Sequence, residues 1–233
     1  MSPVLVTGLL GGWLAADATA FAQLLVSQPL VGGTLAGWAW GDVHLGLRVG
    51  SLLQLFALSG LPLGGRTPED YATAGVVGPS VAMLVGNSFP SPSESGTLVL
   101  GVVAGLVVAM AGRPLVRWMR VRNEGLTRWA ESEVSAGSVS ALDRAHWLGV
   151  AHAFALGAGF TWIGTAALGA VARWAVSYDG LAVERAAAAS EPVLWGVGAG
   201  LAARQMVPVR KGTALLFLTA LAFWVVLRWL GQP

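Results

Sequence analysis

Residues 23–78 read QLLVSQPLVGGTLAGWAWGDVHLGLRVGSLLQLFALSGLPLGGRTPEDYATAGVVG, an apolar ribbon that carries a few polar residues. Gln28, Asp42, Arg48, Gln54 and Asp70 recur within it. Such groups are expensive in lipid, so they face partners, a cavity or a substrate path. The glycines and prolines between them suit broken helices and hairpins around a binding site near the bilayer midplane. The pattern points to transport of a polar solute.

The rest of the chain has the matching composition. Of 233 residues, 55% are hydrophobic and only 11% charged, and mean hydropathy is +0.67. Soluble domains carry about 25% charged residues. This is the composition of an all-α integral membrane protein. Thirteen of the fourteen basic residues are arginines gathered in connecting segments, which fits membrane topology and gives no basic stripe for nucleic acid. The chain has no cysteine, so disulfides, thiolate chemistry and cysteine-ligated metals are excluded. The first residues lack the positive region of a signal peptide and read as a first membrane segment.

Residues 4–41 hold one charge, Asp17, and are too few for two spans of about 20 residues plus a turn. One full helix followed by a shorter segment or re-entrant hairpin is expected there, broken at Gln28-Pro29. Residues 43–62 are long enough to span, and 71–87 are apolar. A polar loop follows at 87–95, then a short apolar helix at 97–112. The segment 113–145 is Arg-rich, with Arg113, Arg117, Arg120, Arg122 and Arg128. It reads as a cytoplasmic amphipathic connection of one or two surface helices. Residues 146–172 are again apolar, 178–192 form a polar connection, 193–206 cross back, and 213–230 make a final span. A single polytopic membrane domain over 1–233 results, a helical bundle with broken helices and re-entrant hairpins.

Candidate site residues come from the planar donors and acceptors that a hydroxylated solute needs in a confined site. These are Gln28, Asp42, Gln54 and Asp70, with Pro29, Pro62 and Pro68 interrupting the helices that present them. Helix-end capping is the competing structural role for each. Gly33, Gly37 and Gly41 give four-residue spacing suited to close helix packing, and Gly64 belongs to the turn after Pro62. Asp17 pairs with a base such as Arg48 or faces the interior, and Asp42 is the nearest anion in sequence for Arg48. Most of the eleven tryptophans fall near segment ends, as an interfacial belt would place them. Trp38 and Trp40 could instead stack on a sugar face. His146 and His152 lie off the spacing of a helical metal pair, so no metal site is expected. Neither a catalytic constellation nor a cofactor motif is evident.

The string Ser27-Gln28-Pro29-Leu30, Gly33-Thr34-Leu35, Gly37, Gly41-Asp42, Gly46-Leu47, Gly50, Leu53-Gln54-Leu55, Pro62-Leu63-Gly64-Gly65 and Pro68-Glu69-Asp70 resembles the IIC subunit of the mannose/fructose/sorbose family of bacterial phosphotransferase systems. The likeness is strongest over about residues 17–80. It implies a multi-pass subunit of the bacterial inner membrane with an elevator-type layout, pairing with a IID membrane subunit to carry a hexose inward. Soluble IIA and IIB phosphocarriers would supply the phosphoryl group, and a homo-oligomer of IIC–IID complexes is expected. It also places Gln28, Asp42, Gln54 and Asp70 on the family's polar motif positions, as sugar-path or hairpin-stabilising residues. Gln28 stands where many members have arginine, and Glu69 where a second proline is common. The alternative is a non-transporting regulatory scaffold that docks soluble phosphotransferase proteins, and the Arg-rich 113–128 segment motivates it.

Overall fold

The computed structural model describes residues 3–60, 67–86, 88–89 and 94–206, with isolated positions at 217–218, 221–222 and 225. Pro62, Gly64, Arg66 and the expected final span at 213–230 therefore lie outside the described residues, apart from those isolated positions. Six helices make up the body: α1 (Pro3–Thr19), α2 (Pro29–Trp40), α3 (Val43–Ala57), α4 (Tyr71–Gly86), α5 (Glu94–Ser135) and α6 (Ser140–Met206).

α2 and α3 form an antiparallel hairpin. Pro29 occupies the first turn of α2, where its missing N–H costs nothing and its fixed φ suits a helix start. The hairpin reverses in two residues. Gly41 adopts φ +90°, a left-handed conformation that disfavours any side chain. Its N–H donates to the Trp38 carbonyl at 3.3 Å, and the Asp42 N–H donates to Gly37 at 2.9 Å, which closes the C-terminus of α2. The Asp42 carboxylate then accepts the Leu45 N–H at 2.9 Å, capping α3.

Between the two helices the backbones touch. A Cβ added to Gly37 would lie 2.6 Å from the Asp42 carbonyl oxygen and 2.9 Å from Gly46 Cα; one on Gly33 would lie 2.7 Å from both Gly46 O and Gly50 Cα. Of the expected run, Gly33 and Gly37 are packing positions and Gly41 is the turn. With 12 and 15 residues, the helices are only about 18 and 22 Å long at 1.5 Å per residue. Neither covers a hydrocarbon core about 30 Å thick. The expectation that 43–62 could span is corrected: α3 ends at Ala57.

α4 is the hub, packed against all five other helices and buried along most of its length. Its Val77, Val81 and Val85 meet Ala104, Val108 and Ala109 of α5 and Ala172 and Val176 of α6. On another side, Ala82 of α4 joins Val49, Leu52 and Leu53 of α3 and Leu98 and Val102 of α5.

Two polar stretches belong to the long helices. The Arg-rich 113–145 stretch is mostly exposed helix, but as the outer parts of two longer helices: α5 runs to Ser135 and α6 begins at Ser140, joined at Gly137 with φ +98°. Arg, Leu, Met, Glu and Ala all favour helix, so a change of polarity there is no change of structure. The 178–192 stretch is likewise helical. Its polar residues produce only a kink at Asp179 (φ −152°, ψ 78°), where the carboxylate accepts the Ala182 N–H at 2.9 Å and restarts the helix. Among the described residues, only α5 and α6 combine the length and apolarity of a membrane span.

The hairpin contact yields a direct prediction. Gly37→Leu forces the backbones apart and is expected to lower stability by about 2 kcal/mol or more. Trp38→Leu, at an exposed position (73%), should leave it nearly unchanged. Thermal unfolding in detergent compares the two.

Candidate functional site

A cavity of about 550 Å³ opens beneath the start of the hairpin. Its walls come from the end of α1, the 21–28 loop, the first residue of α2, the end of α3, the start of α4, and the middles of α5 and α6. Gln28, Gln54 and Asp70 all line it, as do Pro29 and Pro68. Residues more than forty positions apart in sequence are thus brought to one place.

Each polar group is held by a helix end. The Gln54 amide nitrogen donates to Gln28 Oε1 at 2.8 Å, while Gln54 Oε1 accepts the Leu30 N–H at 3.3 Å. One side chain of α3 therefore satisfies an otherwise unpartnered donor of α2 and fixes Gln28 at the cavity wall. Asp70 caps α4, with Thr73 N–H donating to Oδ1 at 3.2 Å. Its own N–H donates to the Ala109 carbonyl at 2.9 Å, tying α4 to α5. Gly112 faces it, and a Cβ there would lie 2.9 Å from Asp70 Oδ2.

Asp42 is not part of this group. It caps α3 at the far end of the hairpin, and the cavity walls do not include it. Nor does it pair with Arg48. Arg48 instead bridges Glu94 at 2.8 Å and Glu191 at 2.7 Å, with Ser95 Oγ donating to Glu191 at 2.5 Å. Those acids lie 46 and 143 positions away, beyond any local pattern. Trp40 donates its indole N–H to Thr7 Oγ1 at 3.0 Å, and Trp38 is exposed; neither lines the cavity.

Asp17 contributes more than the sequence suggested. It is 3% exposed and lines the cavity, and its two oxygens accept the N–H groups of Leu24 at 2.8 Å and Ser27 at 3.0 Å. The loop it pins holds three non-glycine residues in left-handed conformations: Ala22 (φ 58°), Gln23 (φ 54°) and Leu25 (φ 63°). Each such conformation costs on the order of 1–3 kcal/mol and persists only when the surroundings impose it. The missed signal was an aspartate two residues before a helix end, followed by a short gap to a proline-started helix. Glu69 and Arg120 also line the cavity.

Short reversed helices over a polar cavity, packed on a buried central helix, make up an all-α architecture of apolar helices. A family model described as the PTS system sorbose-specific IIC component matches residues 3–228, and the chain belongs to that family. It is 25% identical over 107 residues to the PTS system sorbose-specific EIIC component of Klebsiella pneumoniae, covering 46% of this chain and 37% of that protein. To the PTS system mannose-specific EIIC component of Escherichia coli K12 it is 23% identical over 119 residues, covering 51% and 41%. The matched stretch thus spans well under half the length of either relative. A solved membrane protein superposes with TM-score 0.66 at 17% identity, over 98% of this chain and 90% of that one. A chain from the mannose transporter ManYZ in complex with microcin E492 superposes with TM-score 0.53 at 17% identity, over 94% and 86%. At these identities the likeness is one of fold.

Asp17→Ala removes both acceptors from the strained loop and leaves two N–H groups without partners, a cost of about 1–3 kcal/mol each. Limited proteolysis of the protein in detergent should then cut within residues 20–27 faster than in wild type. Unchanged cleavage would show that the loop holds without the carboxylate.

Proposed function

We propose that this chain is the membrane translocation subunit of a sugar permease of the phosphotransferase system, moving a hexose inward as IIB phosphorylates it and working with a IID subunit in the bacterial inner membrane. The convergence of Gln28, Gln54 and Asp70 on one cavity carries this reading. Amide and carboxylate groups match the alternating donors and acceptors of a sugar ring. A cavity of this size falls in the range of small-solute sites.

The hairpin supports an elevator-type movement. Its two helices are fastened to each other through backbone contact and the Gln54–Gln28 bond, so α2 and α3 would travel as one body. Pro29 and Pro68 bound the cavity on its hairpin and α4 sides. Gly33 and Gly37 are packing residues of the moving unit, and Gly41 with Asp42 forms its turn. Asp42 is therefore a hairpin-stabilising residue in this account. The exposed arginines Arg117, Arg122 and Arg128 on the outer half of α5 offer a surface on which the soluble IIA and IIB proteins could dock.

The test is formation of sugar phosphate from radiolabelled mannose and sorbose in cells expressing this chain with IID and IIB partners. IIB-dependent accumulation is expected. Gln54→Ala should insert normally yet lower the rate about tenfold or more, as befits loss of a polar contact together with its neighbour's support. Asp42→Asn, whose replacement caps a helix about equally well, should keep most of the activity. Wild-type rates in Gln54→Ala would remove the cavity from the mechanism.

A further inference from the structure

The groove between α5 and α6 does not end at the solute cavity. Leu115, Met119 and Arg120 of α5 and Ala153 and Gly157 of α6 wall that cavity. Further toward the Gly137 turn, a second cavity of about 470 Å³ is walled by Asn123, Thr127 and Glu131 of α5 and by His146 and Gly149 of α6. Thr19, at the end of α1, lines both. The two spaces follow one another along one groove, where α1 lies on α6 and reaches α5 through Ala16 and Met119.

The second cavity has apolar walls of Ala20, Leu126, Ala130, Leu142 and Ala145, and most of its polar groups are hydrogen-bond acceptors. Asn123 Oδ1 is buried without a partner, which is costly unless a donor arrives. Thr127 Oγ1 donates to the Asn123 carbonyl at 3.1 Å, and Thr19 Oγ1 donates to the Ala15 carbonyl at 2.8 Å. Both hydroxyls have used their protons and present lone pairs. Glu131 adds a carboxylate, His146 an imidazole with one donor and one acceptor when neutral, and no lysine or arginine lines the space among the described residues.

Such a lining accepts hydrogen bonds from an uncharged, hydroxyl-bearing solute and opposes a phosphate ester, which offers acceptors and negative charge. We propose that this second cavity is a holding site for the unphosphorylated sugar on its way from the hairpin cavity to the phosphocarrier, and that it rejects the phosphorylated product. The inference rests on the permease reading above. In the transfer itself, a sugar hydroxyl forms the new bond to phosphorus, the carrier's bond to phosphorus breaks, and the hydroxyl proton passes to solvent. The product carries a charge of about −1.5 to −2 near pH 7, so the chemistry that ends the cycle also removes the ligand's fit to this site.

Gly149 offers a way to block the site without deleting a polar group. A Cβ there would lie 3.8 Å from Asn123 Oδ1, an ordinary contact, so Gly149→Ala fits, whereas Gly149→Leu extends into the cavity. In cells expressing the full chain with IID and IIB, radiolabelled mannose and sorbose are the probes. Gly149→Leu is expected to lower the maximal rate of sugar-phosphate formation about tenfold, the scale of one lost hydrogen-bonded contact, with KM for external sugar unchanged. Gly149→Ala should match wild type. Asn123→Leu should show the same split between rate and KM, and it serves as the test if Gly149→Leu fails to reach the membrane. In inside-out vesicles, mannose phosphate should not compete with mannose for wild type, but should compete in Glu131→Lys. Wild-type rates in both Gly149→Leu and Asn123→Leu, with the rate lowered in Gln54→Ala, would overturn the holding site alone. A wild-type protein that phosphorylates neither sugar would remove the permease reading, and the holding site with it.

Discussion

The backbone contact between Gly33 and Gly37 of α2 and Gly46 and Gly50 of α3 is the constraint on which the site depends. Added Cβ atoms at these positions would stand under 3 Å from the opposing backbone in each case, so no side chain can occupy the seam. Close approach lets two helices too short to cross a bilayer stabilise each other, through dispersion contacts that lipid cannot replace. It also sets the register. Only when Gly50 lies against Pro29 does Gln54, one turn further along α3, reach the Leu30 N–H and the Gln28 amide.

The polar residues of the cavity share a second property: each completes a helix end or a loop. Gln54 serves α2, Asp70 serves α4, and Asp17 serves the strained segment between α1 and α2. A polar group placed in an apolar environment needs its hydrogen bonds satisfied in every state. Using the same side chain as cap and as wall meets that need when the cavity is empty. Under the permease proposal, substitutions here would act on architecture and on solute contact together. For that reason the α5–α6 groove, where Asn123 Oδ1 has no partner among the described residues, is the more separable place to probe the proposed solute path.

Punctuation residues made the hairpin region legible from sequence. The Gln28-Pro29 break and the segment boundaries near residues 42 and 71 each correspond to an observed helix boundary, since proline, glycine and aspartate act through local backbone geometry. Gly41, read as a packing position, is instead the turn. Polarity was a poorer guide. The acidic stretch after Tyr178 looks like a connection in a hydropathy pattern, yet it is helical apart from the kink at Asp179, since Glu, Arg and Ala favour helix. The Arg-rich stretch beyond Gly112, expected as surface helix, continues α5 without a break. Long-range partners were illegible for a different reason. Arg48 finds Glu94 and Glu191 only after α3, α5 and α6 have packed, and nothing near Arg48 in sequence encodes that meeting. Asp42 and Asp17 exchanged significance similarly: both are aspartates near helix ends, and only the tertiary fold puts one at a distant turn and the other at the cavity.

The central claim is that the fastened hairpin presents Gln28 and Gln54, together with Asp70, to a sugar in the 550 Å³ cavity. An electron cryomicroscopy structure of the full chain with its IID partner, determined with and without saturating mannose, tests it most directly. The account predicts added ring-shaped density within hydrogen-bonding distance of Gln54 and Asp70, with the α2–α3 seam unchanged. Sugar density outside this cavity, or a hairpin whose two helices separate on binding, would contradict it.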